Sequence, residues 1–264
     1  MRSENVIAMP ASTPGPRETT GVCEDHGQFP QKINVIFNKV FKTGCPECTR
    51  IEKEEELERL RAQERNELVL KLGSALIPKR FAGKSLKGYI AESPEQQEAL
   101  RICSKYAAKF PEICESGRCL LLLGRPGTGK THLGVAIAND LMRKTAATAV
   151  YRTIGTVLHE IKSTFRPGSE RSEGQILAGL ISPSLLILDE IGVSKESPSD
   201  FELSTLFSII NGRYEQMRPT VIISNLDGQS LPLAMGERCV DRLREGGVIV
   251  VPFEWESQRG KEGF

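Results

Sequence analysis

The stretch from Gly124 to Thr131, GRPGTGKT, combines the residue types that grip a polyphosphate. Gly124, Gly129, Lys130 and Thr131 satisfy the spacing G-x-x-x-x-G-K-[ST], with Arg125, Pro126, Gly127 and Thr128 between them. Glycines let backbone N–H groups curl around an anion, and a helix opening near Lys130 points its positive end at it. Lys130 supplies a point charge for the β- and γ-phosphates, and the Thr131 hydroxyl is placed to ligate Mg²⁺. His132, next along, reads as a surface or capping residue at the edge of the nucleotide site. The run LLILDE ends in Asp189 and Glu190: the first is expected to hold Mg²⁺ through water, the second to polarise an attacking water. A base beside the metal aspartate suits hydrolysis better than transfer to a small acceptor. Asn225, closing TVIISN, is expected to orient that water between Glu190 and the γ-phosphate.

A second set of residues has metal-ligand spacing. CEDH (Cys23, His26) and CPEC (Cys45, Cys48) are pairs in which two ligands from one tight turn can meet a tetrahedral ion, with eighteen residues between His26 and Cys45. Four ligands and no open position imply a structural Zn²⁺, whose binding, about 10–16 kcal/mol in zinc-finger peptides, would fold so small a module. The competing reading is a flexible arm with free thiols. Cys103, Cys119 and Cys239 lack paired spacing and read as core residues, Cys114 is left unassigned, and His159 reads as part of a polar helix face.

These groups need elements to position them. Five apolar runs, CLLLLG (Cys119–Gly124), AVYRTI (Ala149–Ile154), LLILDE (Leu185–Glu190), TVIISN (Thr220–Asn225) and VIVVPF (Val248–Phe253), read as strands. Helical patterns separate them at Thr131–Lys144, Thr156–Phe165, Phe201–Glu215 and Gly236–Glu245. Nearly continuous apolar strands alternating with helices predict an α/β fold, a five-stranded parallel sheet sandwiched by helices. Four parts are expected: a disordered tail over 1–20, a zinc-binding module over 21–50, a charged connecting helix over 51–76, and the α/β domain over 77–264. The helix, IEKEEELERLRAQERNELVLKL, has polar Glu64 in its apolar seam, which favours a solvated connector over a coiled coil.

Composition sets further bounds. A net charge of +1 argues against a globally basic surface, so any nucleic-acid contact must be a local groove. With no run of eighteen apolar residues and no signal-peptide core at the N-terminus, the chain reads as cytoplasmic, without a membrane partner, and its seven cysteines as reduced.

GRPGTGKTHLGVAIANDL, LLILDEIGV, TVIISNL, GERCVDRLREGG and FEWESQRGKEGF occur in order, and from Ile77 onward the chain resembles the DnaC-type replicative helicase loaders of the AAA+ superfamily, with the IstB transposition helpers as close relatives. The resemblance implies ATP binding, slow hydrolysis, ATP-dependent self-assembly, and placement of a DnaB-type hexamer on single-stranded DNA. It implies that Arg242 reaches into a neighbour's nucleotide site, with Arg238 on its face, and that Arg259 corresponds to a sensor arginine. Only eleven residues follow the last strand, so the C-terminal lid is expected to be reduced. The lead-in IPKRFAGKSLKGY (Ile77–Tyr89) is expected near adenine. DNA contact is implied for the segments holding Lys162, Phe165 and Arg166, and Lys195 and Phe201, a ring and cations suiting stacking and phosphate. For Phe165 and Phe201 the alternative is plain core packing.

The metal module is the departure from this resemblance, and it is expected to help residues 21–75 dock on the helicase, with FPQKINVIFNKVF (Phe29–Phe41) contacting a protein groove or DNA. Three other functions compete: an IstB-like ATPase helping a transposase, a P-loop kinase, and a nucleotide-gated DNA-binding module with negligible hydrolysis. Glu190 beside Asp189, and Arg242 in its place before the last strand, count against the kinase.

Overall fold

The computed structural model describes residues 17–36, 39–192 and 197–260. They fall into two units that divide between Asn66 and Glu67. The first opens with an antiparallel sheet of β1 (Arg17–Cys23), β2 (Gly27–Ile36) and β3 (Lys39–Lys42), in that spatial order. Arg17–Thr20, assigned above to a disordered tail, pair instead with Ile33–Pro30 across β1 and β2, where Thr19 and Thr20 suit an extended backbone. Helix α1 (Pro46–Ser74) starts inside the second cysteine pair rather than at Ile51. None of its residues is buried, in keeping with a solvated connector, and Arg50 bridges Glu47 and Glu54 along it.

The second unit is the expected α/β sandwich. After a 3₁₀ turn (Lys79–Phe81) come α2 (Pro94–Ala108), α3 (Phe110–Ser116), β4 (Cys119–Gly124), α4 (Lys130–Lys144), β5 (Ala149–Thr153), α5 (Ile154–Ser163) and α6 (Glu173–Ile181). Then follow β6 (Leu185–Ile191), α7 (Asp200–Glu215), β7 (Thr220–Ser224), α8 (Leu231–Met235), α9 (Glu237–Glu245) and β8 (Val248–Phe253). The five strands β4–β8 are parallel, in the order β5-β6-β7-β4-β8. Helices α2, α3 and α6 were not legible as such, although Ser93 with Gln96 and Ser172 with Gln175 form capping boxes that mark the starts of α2 and α6. No helix among the described residues is long and apolar enough to cross a membrane.

Strand residues alternate between two cores. Leu120, Leu122, Leu185, Ile187, Val221 and Ile223 pack with α2 and α4, while Leu121, Leu123, Leu186, Leu188 and Ile222 pack with α5, α6, α7 and α9. Both faces are covered, which is why the strands read as apolar throughout. Cys103, Cys119 and Cys239 are buried in these cores as expected, and Cys114 is half-buried.

Candidate functional site

The carboxyl ends of β4, β6 and β7 open into a cavity of about 780 Å³. Its lining includes Pro126–His132, Asp189, Glu190, Asn225 and Arg259, residues far apart in sequence that the fold brings together. Gly127 (φ 79°) and Gly129 (φ 94°) adopt backbone that disfavours other residues. A Cβ at Gly129 would sit 2.8 Å from the Tyr89 ring, and one at Gly127 2.1 Å from Ser257 Oγ. The loop is therefore held from both sides. The Tyr89 hydroxyl and the Trp255 indole N–H both donate to Thr128 O, at 3.3 and 3.0 Å, and Gln258 N–H donates to Gly127 O at 2.8 Å.

Lys130 is buried and its Nζ donates to the carbonyls of Gly124 (2.7 Å) and Arg125 (2.6 Å). Burial pushes its amine down to about 8, against the pull of Asp189. The buried Asp189 carboxylate is fixed by three donors: Thr131 Oγ1 and the Tyr151 hydroxyl, each 2.9 Å from Oδ2, and Glu190 N–H, 2.7 Å from Oδ1. Burial and that carboxylate hold the Tyr151 phenol well above its ordinary range, so it stays a donor. Thr131 and Asp189, two hard oxygen donors in direct contact, suit Mg²⁺.

Glu190 is exposed and left-handed at φ 62°, a costly conformation for a residue with a Cβ. It sits where pairing with β7 slips by one residue between Leu188 and Ile191, a bulge that re-aims the side chain. Ser224 Oγ donates to Ile191 O at 2.6 Å and pins the far side of the bulge. Asn225 is exposed one residue beyond β7.

The lead-in segment also reaches the cavity through Arg80, Phe81, Lys84 and Tyr89. Buried Asn139 of α4 anchors it, donating from Nδ2 to Ala82 O (3.2 Å) and Lys84 O (2.8 Å). His132 is half-buried and lines the cavity rather than capping a surface, with its ring edge-on to Tyr89 at 5.2 Å and Nε2 3.3 Å from Ser85 O. Arg80, Lys84, Lys130 and Arg259 outnumber the acidic lining residues Asp189 and Glu190. Tyr151 was missed as a site residue because it lies outside the quoted motifs, in the strand AVYRT; Tyr89, Asn139, Trp255 and Gln258 fall within quoted stretches, but their partners Gly127, Thr128 and the lead-in carbonyls come near only through folding.

Arg242 does not line this cavity. It lies on α9 against α7, as does Arg238, whose Cζ is 4.0 Å from the Phe207 ring centroid. Arg244 is exposed. Phe165, Phe201 and Lys162 come together: the rings are 6.0 Å apart edge to face, with Lys162 Nζ 5.3 Å from the centre of Phe201. Phe165 is 64% exposed, so it is not a core residue, while the partly buried Phe201 packs on the α5–α7 core. Arg166 is exposed beside Phe165. Lys195 lies outside the described residues.

In the first unit, Cys23 Sγ, His26 Nδ1, Cys45 Sγ and Cys48 Sγ lie within 4.8 Å of one another. The hairpin turn between β1 and β2 supplies the first two, and the start of α1 supplies Cys48, with Cys45 just before it. Tetrahedral Zn²⁺ at bond lengths of about 2.3 Å needs ligand separations of about 3.8 Å; Cys23–Cys48 at 3.4 Å, Cys23–His26 at 3.6 Å and Cys48–His26 at 3.3 Å are close to that. The His26 contact draws the Cys23 thiol down to about 6, while the bond to Cys23 pushes Cys48 up to about 12.

Strand order and phosphate loop together define a P-loop NTPase fold of the AAA+ class. The chain belongs to the IstB-like ATP binding protein family, which matches residues 101–240. It is 32% identical over 225 residues to the replicative helicase loader DnaC of Escherichia coli strain K12, covering 84% of this chain and 89% of that one. DnaC of Buchnera aphidicola subsp. Schizaphis graminum is 34% identical over 188 residues, 71% of this chain and 74% of that one. The crystal structure of the DnaC helicase loader superposes with a TM-score of 0.59 at 23% identity, over 67% of this chain and all of that one. AMPPCP-bound DnaA from Aquifex aeolicus shares the fold at a TM-score of 0.54 and 18% identity, over 67% of this chain and 51% of that one.

Proposed function

We propose that the protein is an ATP-hydrolysing helicase loader that places a DnaB-type hexamer on single-stranded DNA. The observation that carries this reading is the similarity to DnaC over most of both chains, coupled to an Asp189, Thr131 and Lys130 constellation that suits Mg-ATP. Gly124–Thr131 and His132 cradle the triphosphate; Lys130 binds its terminal phosphates, and Thr131 and Asp189 hold Mg²⁺, which offsets phosphate charge when bound. Glu190 takes the proton of the attacking water, Asn225 orients that water, and Arg259 approaches the γ-phosphate from the same subunit. Arg242 approaches it from a neighbour, so turnover requires ATP-dependent self-assembly. Phe165 and Phe201 stack on bases while Lys162 and Arg166 meet phosphates. Cys23, His26, Cys45 and Cys48 hold a structural Zn²⁺ that folds the module of β1, β2 and β3, which with α1 docks on the helicase and leaves 77–264 as the ATPase.

The test is capture of a replicative helicase with and without ATP, followed by loading onto circular single strands. ATP-dependent capture and loading are expected; capture of a transposase alone would establish the second reading, which the IstB-like family match favours. Phe165→Ala is expected to weaken single-strand binding by about 1–3 kcal/mol in a fluorescence titration, and unchanged affinity removes the ring from the DNA site.

A further inference from the structure

We infer that Asn211 and Tyr214 of α7 are positioning residues that seat Arg242 for a neighbouring copy of the chain, with Glu245 as the counter-charge its phosphate displaces. This rests on the proposed role of Arg242 in trans. Arg242 Nε donates to Asn211 Oδ1 at 3.2 Å, and its Cζ lies 5.0 Å from the Tyr214 ring centroid. The amide cannot turn over freely, because Asn211 Nδ2 donates to Glu215 Oε1 at 2.8 Å and so leaves Oδ1 facing the guanidinium. With Nε tied and one face covered, the Nη1/Nη2 edge is left for a two-point phosphate contact. Nη1 meets Glu245 Oε2 at 2.8 Å, a pair whose side chains are 35% and 55% exposed, the kind a phosphate can displace. Asn211, being neutral, holds the arginine without competing for its charge. Arg238 is committed to Phe207 one turn earlier on both helices, and exposed Arg244 has no such seat among the described residues.

The experiment mixes two full-length variants. Glu190→Gln subunits supply an arginine but cannot turn over, and Arg242→Ala subunits have an intact pocket but supply no arginine. Their mixture should regain ATPase activity that neither shows alone. Adding Asn211→Leu to the Glu190→Gln subunit should cut that activity about tenfold, the loss of one hydrogen bond to a charged group. Asn211→Gln, which keeps a neutral amide acceptor, should restore much of it. Both subunits should bind fluorescent ATP normally, since Asn211 is outside the cavity. Because the altered subunit's own site is already silent, the loss can only act on its neighbour. Full activity with Asn211→Leu overturns the seat while leaving Arg242 in place. Failure of the parent mixture to recover, or full turnover by Arg242→Ala alone, overturns the trans role and the seat with it. Glu245→Gln in the arginine-supplying subunit should keep or raise turnover; a loss as deep as that of Asn211→Leu overturns the displacement of Glu245.

Discussion

Glu190 occupies a backbone conformation that a strand end would not adopt without cause. The bulge beside it turns the carboxylate toward the cavity, while Asp189, one residue earlier, stays buried and bonded. Adjacent acids thereby acquire different surroundings, which suit the different tasks proposed for them. Glu190→Gln should lower steady-state turnover about 10²–10⁴-fold, the usual contribution of a general base, while nucleotide binding persists in equilibrium titration. Lys130 gives a pH prediction. Its amine has been pushed down from 10.5 to about 8, so the ammonium proposed to meet phosphate is lost as pH rises through 8. ATP affinity should therefore fall up to about tenfold between pH 7 and 9 in calorimetric titrations. The effect on folding has the opposite sense: between about 8 and 10.5 the unfolded chain binds the extra proton, so this group adds stability as pH rises. Lys130, Asp189 and Glu190 were legible because each belongs to a contiguous motif. Tyr89, Tyr151 and Trp255 were not, since their partners Thr128 and Asp189 come near only through folding.

At the scale of elements, the five strands of the parallel sheet were legible nearly to the residue, because burial on both faces leaves uninterrupted apolar runs. The short helix α6 was not: EGQILAGLI carries two glycines and buries only Ile176 and Leu180. Its placement depends on Arg213, 1% exposed on α7, whose guanidinium donates to the carbonyls of Leu180, Ile181, Pro183 and Pro219 and to Thr220 Oγ1. One cation thus ties the end of α6 to the starts of β6 and β7. Arg213→Met would leave those carbonyls without donors and should cost about 3–5 kcal/mol in chemical denaturation. The cluster of Cys23, His26, Cys45 and Cys48, proposed to hold zinc, makes its own prediction. Chelation should expose the segment 17–45 to protease while ATP binding by residues beyond 76 stays unchanged; protection that survives metal removal contradicts a structural ion.

For the whole molecule, the separation of Arg242 from the cavity matters most. A single chain gathers the phosphate loop, Thr131, Asp189 and Glu190 around one cavity, and leaves Arg242, bonded to Asn211, outside its lining. The sequence placed both groups on their elements and the resemblance implied that Arg242 serves a neighbour; that Arg242 lies outside the lining of its own subunit's cavity is read from the folded chain. ATP consumption per subunit, measured across a wide range of protein concentration, tests this division most directly. Specific activity should be near zero when dilute and climb steeply as subunits associate, by about 10³-fold or more for an arginine supplied in trans. A constant specific activity across that range, equal to that of the associated protein, would contradict it.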